Sequence, residues 1–236
     1  MLKSKSGRII AVALLALTMA LGIVGGDYAR RIASAEPPDE TEVLEAAERD
    51  LPNFLEVISH MGYQNYGFKD ESELEAVQFG EPVEVYVLTA EALEAYEPGQ
   101  RVAPLLAPAC QWEVPLLADN ESRIMLTVAF FKGKWQAVEA GGIQLAERWQ
   151  SFATDLAATP VTGEKEAGRR IRLVRVYEIG GYFAFTESDG EETLIPLIAH
   201  GGALPGVENL KRYAPAELIP QVTAAVRQLI EAQGGE

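Results

Sequence analysis

The chain has 236 residues, of which 48% are hydrophobic and 23% are charged, a composition that supports a packed core and excludes global disorder. Its formal net charge is −15, and the part after residue 35 holds 15 basic and 34 acidic residues, a net charge of −19. Phosphate backbones and anionic head groups repel such a body, which argues against nucleic-acid binding and against electrostatic docking on a membrane.

Residues 1–35 have the pattern of an export segment. The apolar run Ile9–Val24 has sixteen residues and no charge, and three basic residues precede it: Lys3, Lys5 and Arg8. A positive stretch followed by an apolar one directs a chain into the secretory route. We therefore expect an extracytoplasmic protein, either secreted or anchored to the outer face of the plasma membrane.

The fate of this segment stays open between cleavage and retention. Ala33-Ser34-Ala35 places small residues where a signal peptidase reads, so that the mature chain would begin at Glu36. The site lies eleven residues beyond Val24, and Arg30 and Arg31 intervene, which counts against cleavage there. The alternative is a retained anchor over residues 9–26, which is short of the ~20 residues that span a bilayer.

A helical pattern follows from residue 38 to about residue 61, where apolar residues recur at three- and four-residue steps. Pro52 predicts a break into two helices, with Asp50 as the N-cap of the second. Further on, a capping-box spacing that starts at Asp70 predicts a short helix over Leu74–Val77.

The loop between these helices carries three aromatic residues among glycines and amides: Tyr63, Tyr66 and Phe68. Aromatic rings beside amides are typical of recognition surfaces. We expect this loop to be a candidate binding surface for a protein, peptide or glycan. The alternative is that the rings fasten the loop to the core.

Most of the remaining chain predicts strands. The valine-rich stretch Pro82–Thr89 predicts the first, and Thr89 predicts the cap of a short helix over residues 90–96. Residues 101–110 predict a proline-bearing loop. The stretch Trp112–Ala118 predicts a strand that Pro115 would place at an edge or a bulge.

Two hairpin signals come next, each with a glycine turn between alternating apolar residues. The five strands of this part are predicted over residues 123–131, 135–140, 171–179, 182–186 and 193–198. An amphipathic helix is expected over residues 145–156, and another near the C-terminus, where Pro220 marks its start or a kink.

The start of the second hairpin holds the one basic cluster of the sequence: Arg169, Arg170, Arg172 and Arg175. Guanidinium groups bind carboxylates and other anions, so Arg170 and Arg172 join the candidate binding surface. The alternative is a solvated strand edge that discourages aggregation between sheets.

Cysteine and histidine are too few for several kinds of chemistry. The single Cys110 excludes an intramolecular disulfide, and we expect it to be a half-buried apolar residue rather than a nucleophile. A transition-metal site at His60 or His200 would need carboxylates for most of its ligands. The sequence predicts no metal, no cofactor and no catalytic residue.

Together these elements predict an α+β protein with an antiparallel sheet or sheets built from hairpins and with amphipathic helices packed on one face. We expect an α+β globular region over residues 36–165. Residues 166–236 would add a hairpin and a C-terminal helix packed on that region. The two hairpins align at an offset of 47 residues, which leaves a duplication open.

The residue content favours a non-enzymatic cell-envelope protein that binds an unidentified protein, peptide or glycan. No nucleic acid is expected as a partner, and a membrane only through an uncleaved N-terminal segment. The alternative function is a carboxylate-based hydrolase that acts on cell-wall glycan, which requires two carboxyl groups roughly 5 to 9.5 Å apart. The glutamates on or beside predicted strands are Glu113, Glu139, Glu178 and Glu187.

Overall fold

The computed structural model describes residues 40–158, 170–199 and 204–233. The predicted export segment, residues 1–35, lies outside these ranges, as do Arg169 and the side chain of Arg170. Within the described ranges, five α-helices and eight β-strands form an α+β fold, the class that the sequence predicts.

All eight strands belong to one mixed sheet in the order β5-β4-β3-β2-β6-β7-β8, with β1 paired to β3. The strands are β1 (Gln78–Phe79), β2 (Val83–Val87), β3 (Ala107–Ala118), β4 (Glu121–Phe131), β5 (Lys134–Gly141), β6 (Arg170–Val176), β7 (Gly181–Ser188) and β8 (Glu191–Ile198). The pairing of β2 with β6 is parallel and the others are antiparallel. This parallel pair joins strands from residues 36–165 and 166–236 into a continuous sheet.

Three of the connections between neighbouring strands are two-residue turns. In each turn both central residues have positive φ: Asp119-Asn120, Lys132-Gly133 and Asp189-Gly190. Two successive positive φ values define the type I′ turn, whose twist matches that of the strands it joins.

The helices are α1 (Glu40–Met61), α2 (Glu71–Glu75), α3 (Ala90–Glu94), α4 (Ile143–Ala158) and α5 (Pro215–Gln233). Asp70 caps α2 by accepting a hydrogen bond from the Glu73 N–H at 3.0 Å. Thr89 caps α3 by accepting one from the Ala92 N–H at 3.2 Å. None of the helices in the described ranges combines the length and the apolar character that crossing a membrane requires.

The long helices cover both faces of the sheet, not one face as expected. On β4, Leu126 packs with α1, whereas Met125 packs with α4. On β6, Val174 packs with α5, whereas Leu173 packs with α4. Because successive strand residues point to opposite faces, α1 and α5 share one face, and α4 lies on the other. The central strands are apolar on both sides, so each side needs a cover.

Helix α1 is continuous through Pro52, although the sequence predicts a break there. Buried residues lie on both sides of the proline, among them Ala47 and Ile58, and packing against the sheet therefore holds the two halves in line. Asp50 does not cap a second helix. Its carboxylate accepts a hydrogen bond from the Ala137 N–H of β5 at 3.0 Å.

Strand β3 begins at Ala107, so the end of the predicted loop over residues 101–110 is strand. Pro115 lies inside the sheet, opposite Met125 of β4, and its carbonyl accepts a hydrogen bond from the Gly80 N–H at 2.7 Å. On its other side β3 pairs with β2 as far as Glu113 and with β1 from Leu116 onward. The N–H that proline lacks thus falls at the junction between two neighbouring strands.

Candidate functional site

A group of polar side chains interrupts the apolar face that carries α4. Gln111 and Glu113 are alternate residues of β3 and point to the same face. Thr127 lies opposite Glu113 on β4, and Tyr182 of β7 lies opposite Arg175 of β6. We call this group the polar cluster, and its members are Gln111, Glu113, Thr127, Arg175, Tyr177 and Tyr182.

Glu113 lies at the centre of the polar cluster and is 1% exposed. Its Oε1 accepts a hydrogen bond from Gln111 Nε2 at 2.9 Å. Thr127 Oγ1 lies 3.2 Å from Oε1 and 3.0 Å from Oε2. Both carboxyl oxygens therefore have partners, as buried polar atoms require.

Burial raises the pKa of Glu113 to about 7, because removal from water disfavours the charged carboxylate. The positive charge of Arg175 and the hydrogen bonds from Gln111 and Thr127 oppose this rise, and the negative charge of Glu139 adds to it. Glu113 therefore takes up and releases its proton near neutral pH, which an exposed glutamate does not do.

Arg175 places its guanidinium over two aromatic rings. Its Cζ lies 4.4 Å from the ring centroid of Tyr177 and 5.0 Å from that of Tyr182. The side chain is half-buried, and its Nε is buried without a hydrogen-bond partner among the described residues. The Tyr177 hydroxyl is a hydrogen-bond partner of the guanidinium, but in the same ranges Arg175 forms no ion pair with a carboxylate. Its capacity to pair with a planar anion is therefore unused.

Tyr177 connects the guanidinium to the buried carboxyl group. Its hydroxyl donates a hydrogen bond to Gln111 Oε1 at 3.3 Å, and Gln111 in turn donates to Glu113. Burial raises the pKa of both Tyr177 and Tyr182. Both phenols therefore stay protonated and keep a hydrogen-bond donor beside Arg175.

A β-bulge in β3 lies directly before the polar cluster. The register between β2 and β3 shifts between Glu84 and Tyr86, and Cys110, within the bulge, has a left-handed φ of 48°. Bulges re-aim side chains and are common next to functional sites. Burial and the negative charge of Glu84 raise the pKa of the Cys110 thiol, which keeps it neutral.

The structure packs the aromatic residues of the predicted surface against the cluster around α1. Phe68 is 2% exposed and belongs to the core, whereas Tyr63 and Tyr66 are half-buried at its margin. The three rings of this loop thus contribute to packing, and among them only those of Tyr63 and Tyr66 are partly accessible to a ligand.

The arginines of the predicted surface lie on β6, which is an interior strand between β2 and β7, not a strand edge. The guanidinium of Arg172 lies 4.6 Å from the ring of Tyr86 and 5.8 Å from that of Phe185, on the face that carries α5. Arg175 lies on the opposite face. Of the predicted basic cluster, Arg172 and Arg175 therefore lie in two different environments.

The carboxylates considered for acid–base chemistry are also distributed over the fold. Glu113 and Glu139 lie on either side of Thr127, at a Cα separation of two strand spacings, about 10 Å. Glu139 is exposed. Glu187 lies on the other face, where it forms an ion pair with Arg101, and Glu178 is exposed in the turn after β6.

Sequence reasoning did not single out Gln111, Tyr177 or Tyr182, although β3 carries a usable signal. Gln111 and Glu113 alternate with Trp112 and Val114, so one face of the strand is polar at two successive positions. A strand that is covered on both faces is normally apolar throughout. Polar residues at period two in such a strand therefore indicate a special environment.

A separate cavity of about 350 Å³ lies at the turn between β7 and β8. Thr186, in its lining, is four residues from Tyr182 along β7, or about 13 Å. Its charged residues are exposed, as side chains at a hairpin end generally are: Asp189, Glu191 and Arg212. It lacks the buried titratable group that distinguishes the polar cluster.

No protein family matches the chain, and no curated protein and no solved structure is detectably similar to it. In the part of the chain that the structure describes, no three His, Cys, Asp or Glu side chains are grouped as metal ligands.

Proposed function

We propose that the chain is an exported, non-enzymatic cell-envelope protein that binds a ligand or partner through the polar cluster. The observation that carries this proposal is the guanidinium of Arg175, which lies over two tyrosine rings without a carboxylate partner among the described residues. Arginine and tyrosine together are typical of recognition sites, because they combine charge, flat apolar area and donors.

The position of Glu113 favours binding over catalysis. A general acid has to come within hydrogen-bond distance of the atom that it protonates. Glu113 is 1% exposed, and both of its oxygens are already hydrogen-bonded within the protein. In this arrangement it supports the neighbouring side chains and does not touch a substrate.

Binding to wall material can be tested with purified peptidoglycan sacculi as the probe. We expect the protein to co-sediment with sacculi, and Arg175→Lys to reduce the bound fraction. The matched control is Arg227→Lys, an arginine on the other face of the sheet that already pairs with Glu94. Loss of binding in Arg172→Lys instead would move the site to the face of α5, and no co-sedimentation of the unchanged protein would contradict wall material as the ligand.

Export is supported by residues 1–35 and needs its own test. Alkaline phosphatase, which is active only outside the cytoplasm, can be fused after Glu236. We expect an active fusion whose activity disappears when residues 9–24 are deleted. An inactive but intact fusion would contradict extracytoplasmic localisation, and N-terminal sequencing of the exported chain would distinguish cleavage from retention.

A hydrolase that acts on wall glycan is the second candidate function. The observation in its favour is the pair Glu113 and Glu139, which lie on β3 and β5 with β4 between them. Glu113 has a pKa of about 7, and Glu139 is exposed. Two carboxyl groups with different environments are what acid–base catalysis uses. The test is whether the protein releases reducing ends from sacculi. If it does, and if either Glu113→Gln or Glu139→Gln abolishes the release, this function is established and the first one is overturned.

A further inference from the structure

We propose that the polar cluster binds a carboxylate group, and that Arg175 is the residue that pairs with it. The expected ligand is a monocarboxylate with a flat or apolar body. This inference rests on the proposed binding function and adds the class of ligand.

A guanidinium has a geometry that suits a carboxylate. Its planar fork of N–H donors matches the two oxygens of a carboxylate, and such paired hydrogen bonds are stronger than neutral ones. Arg227 and Arg123 are each paired with a carboxylate, whereas Arg172 lies over aromatic rings without such a partner in the described ranges. Arg175 has no such partner in the described ranges.

The carboxyl group nearest in the cluster does not compete for this place. Glu113 receives hydrogen bonds from Gln111 and Thr127, and it interacts with Arg175 at longer range without an ion pair. Moving Glu113 toward Arg175 would break hydrogen bonds of a buried group, which is costly. An incoming carboxylate therefore finds no internal anion to displace.

The surroundings of Arg175 favour a ligand with an apolar body and a single negative charge. The guanidinium lies over the half-buried rings of Tyr177 and Tyr182, and we expect an aromatic or aliphatic group of the ligand to pack on the part of these rings that stays accessible. The exposed carboxylate of Glu139 and the net charge of the body oppose ligands with several negative charges. A monocarboxylate gains the pairing with Arg175 at the smallest electrostatic cost.

The test uses calorimetric titration of the full chain with two pairs of probes. Benzoate is compared with benzamide, which has the same shape without the charge, and N-acetyl-Ala-Phe with its C-terminal amide. The first pair represents a small organic acid, and the second a peptide C-terminus. We expect the acid of at least one pair to bind about tenfold more tightly than its amide, since hydrogen bonds to charged groups have this size.

Variants then assign the binding to Arg175. Arg175→Lys keeps the charge and loses the fork, so we expect an affinity about tenfold lower for the acid. Arg227→Lys should leave the affinity unchanged, and Glu139→Gln should raise it because a repelling charge is removed. A thermal melt of each variant confirms that it is folded.

The inference is overturned if neither acid binds, if each amide binds as well as its acid, or if Arg175→Lys binds as tightly as the unchanged chain. The outcome of these titrations is independent of the outcome of the co-sedimentation experiment with sacculi. Co-sedimentation with sacculi that persists without carboxylate recognition would retain the proposed function and remove the ligand class. Carboxylate binding at Arg175 without co-sedimentation would retain ligand binding through the polar cluster and exclude wall material as the ligand.

Discussion

Burial without an ion-pair partner favours the protonated form of a carboxyl group and so raises its pKa above that of an exposed carboxyl group. Glu113 is buried in this way, and its pKa is raised to about 7 from 4.5. Between these two pH values the folded chain holds a proton that the unfolded chain has released. The free energy of unfolding that Glu113 contributes therefore falls as the pH rises through this window and is constant above it.

Replacement of Glu113 by glutamine should remove this pH dependence. Between about pH 5.5 and 8, we expect the free energy of unfolding of Glu113→Gln to rise relative to the unchanged chain by about 2 kcal/mol, since one pKa unit corresponds to ~1.4 kcal/mol. Urea unfolding across this range, above the isoelectric point of 4.6, measures the difference. The control is Glu139→Gln, an exposed carboxylate nearby, and parallel curves for Glu113→Gln and the unchanged chain would contradict the raised pKa.

Among the elements, the hairpin of β4 and β5 has a lysine, Lys132, at a turn position that suits glycine or asparagine better. The type I′ turn needs positive φ at both central positions, and glycine or asparagine tolerates this best. Gly133 meets the requirement, whereas Lys132 adopts a φ of 52° at a cost to its backbone. The ammonium of Lys132 lies 5.0 Å from the ring centroid of Phe131, which offsets part of that cost.

Two substitutions separate these contributions. Lys132→Asn and Lys132→Ala both lose the contact with Phe131, but asparagine tolerates the left-handed region better than alanine. We expect the asparagine variant to be more stable by about 1 kcal/mol. Thermal or urea unfolding of the two variants gives the difference, and equal stabilities would show that the backbone of the turn is unstrained.

For the whole molecule, β5 and β8 lie at the two ends of the strand order in the described ranges and could pair with another copy of the chain. Exposed backbone groups of an edge strand pair readily with another strand. Along β5, the Trp135 carbonyl accepts a hydrogen bond from Arg49 at 2.8 Å, and the Ala137 N–H donates to Asp50 at 3.0 Å. Along β8, Leu194 exchanges two hydrogen bonds of 3.0 Å with Tyr213. Side chains of α1 and the segment before α5 thus occupy backbone groups on both strands.

Removal of the contact between Asp50 and β5 should cause self-association. We expect Asp50→Ala to free the Ala137 N–H, to lower the free energy of unfolding by about 1 to 2 kcal/mol, and to form dimers or larger species at high concentration. Sedimentation velocity over a concentration series detects these species. Glu48→Ala removes the same charge from an exposed position of α1 and should remain monomeric. A monomeric Asp50→Ala chain would show that another feature protects the edge.

Sequence by itself determined the local elements of the fold. The caps at Asp70 and Thr89 and the turn at Lys132-Gly133 involve residues at most a few positions apart, so their signals are complete within a short stretch. The boundaries of β4, β5 and α4 follow alternation or helical periodicity in the same way. The export segment stays a prediction from its charge and apolar pattern.

Only the tertiary structure decided the order of the strands, the faces that the helices cover and the composition of the polar cluster. Glu113 and Arg175 are 62 residues apart and lie on strands that β2 separates, and nothing in either local sequence specifies that arrangement. Continuity of α1 through Pro52 has the same origin, because packing against the sheet outweighs the local preference for a break. Long-range contacts depend on the summed burial of many residues, and a short stretch of sequence does not contain that sum.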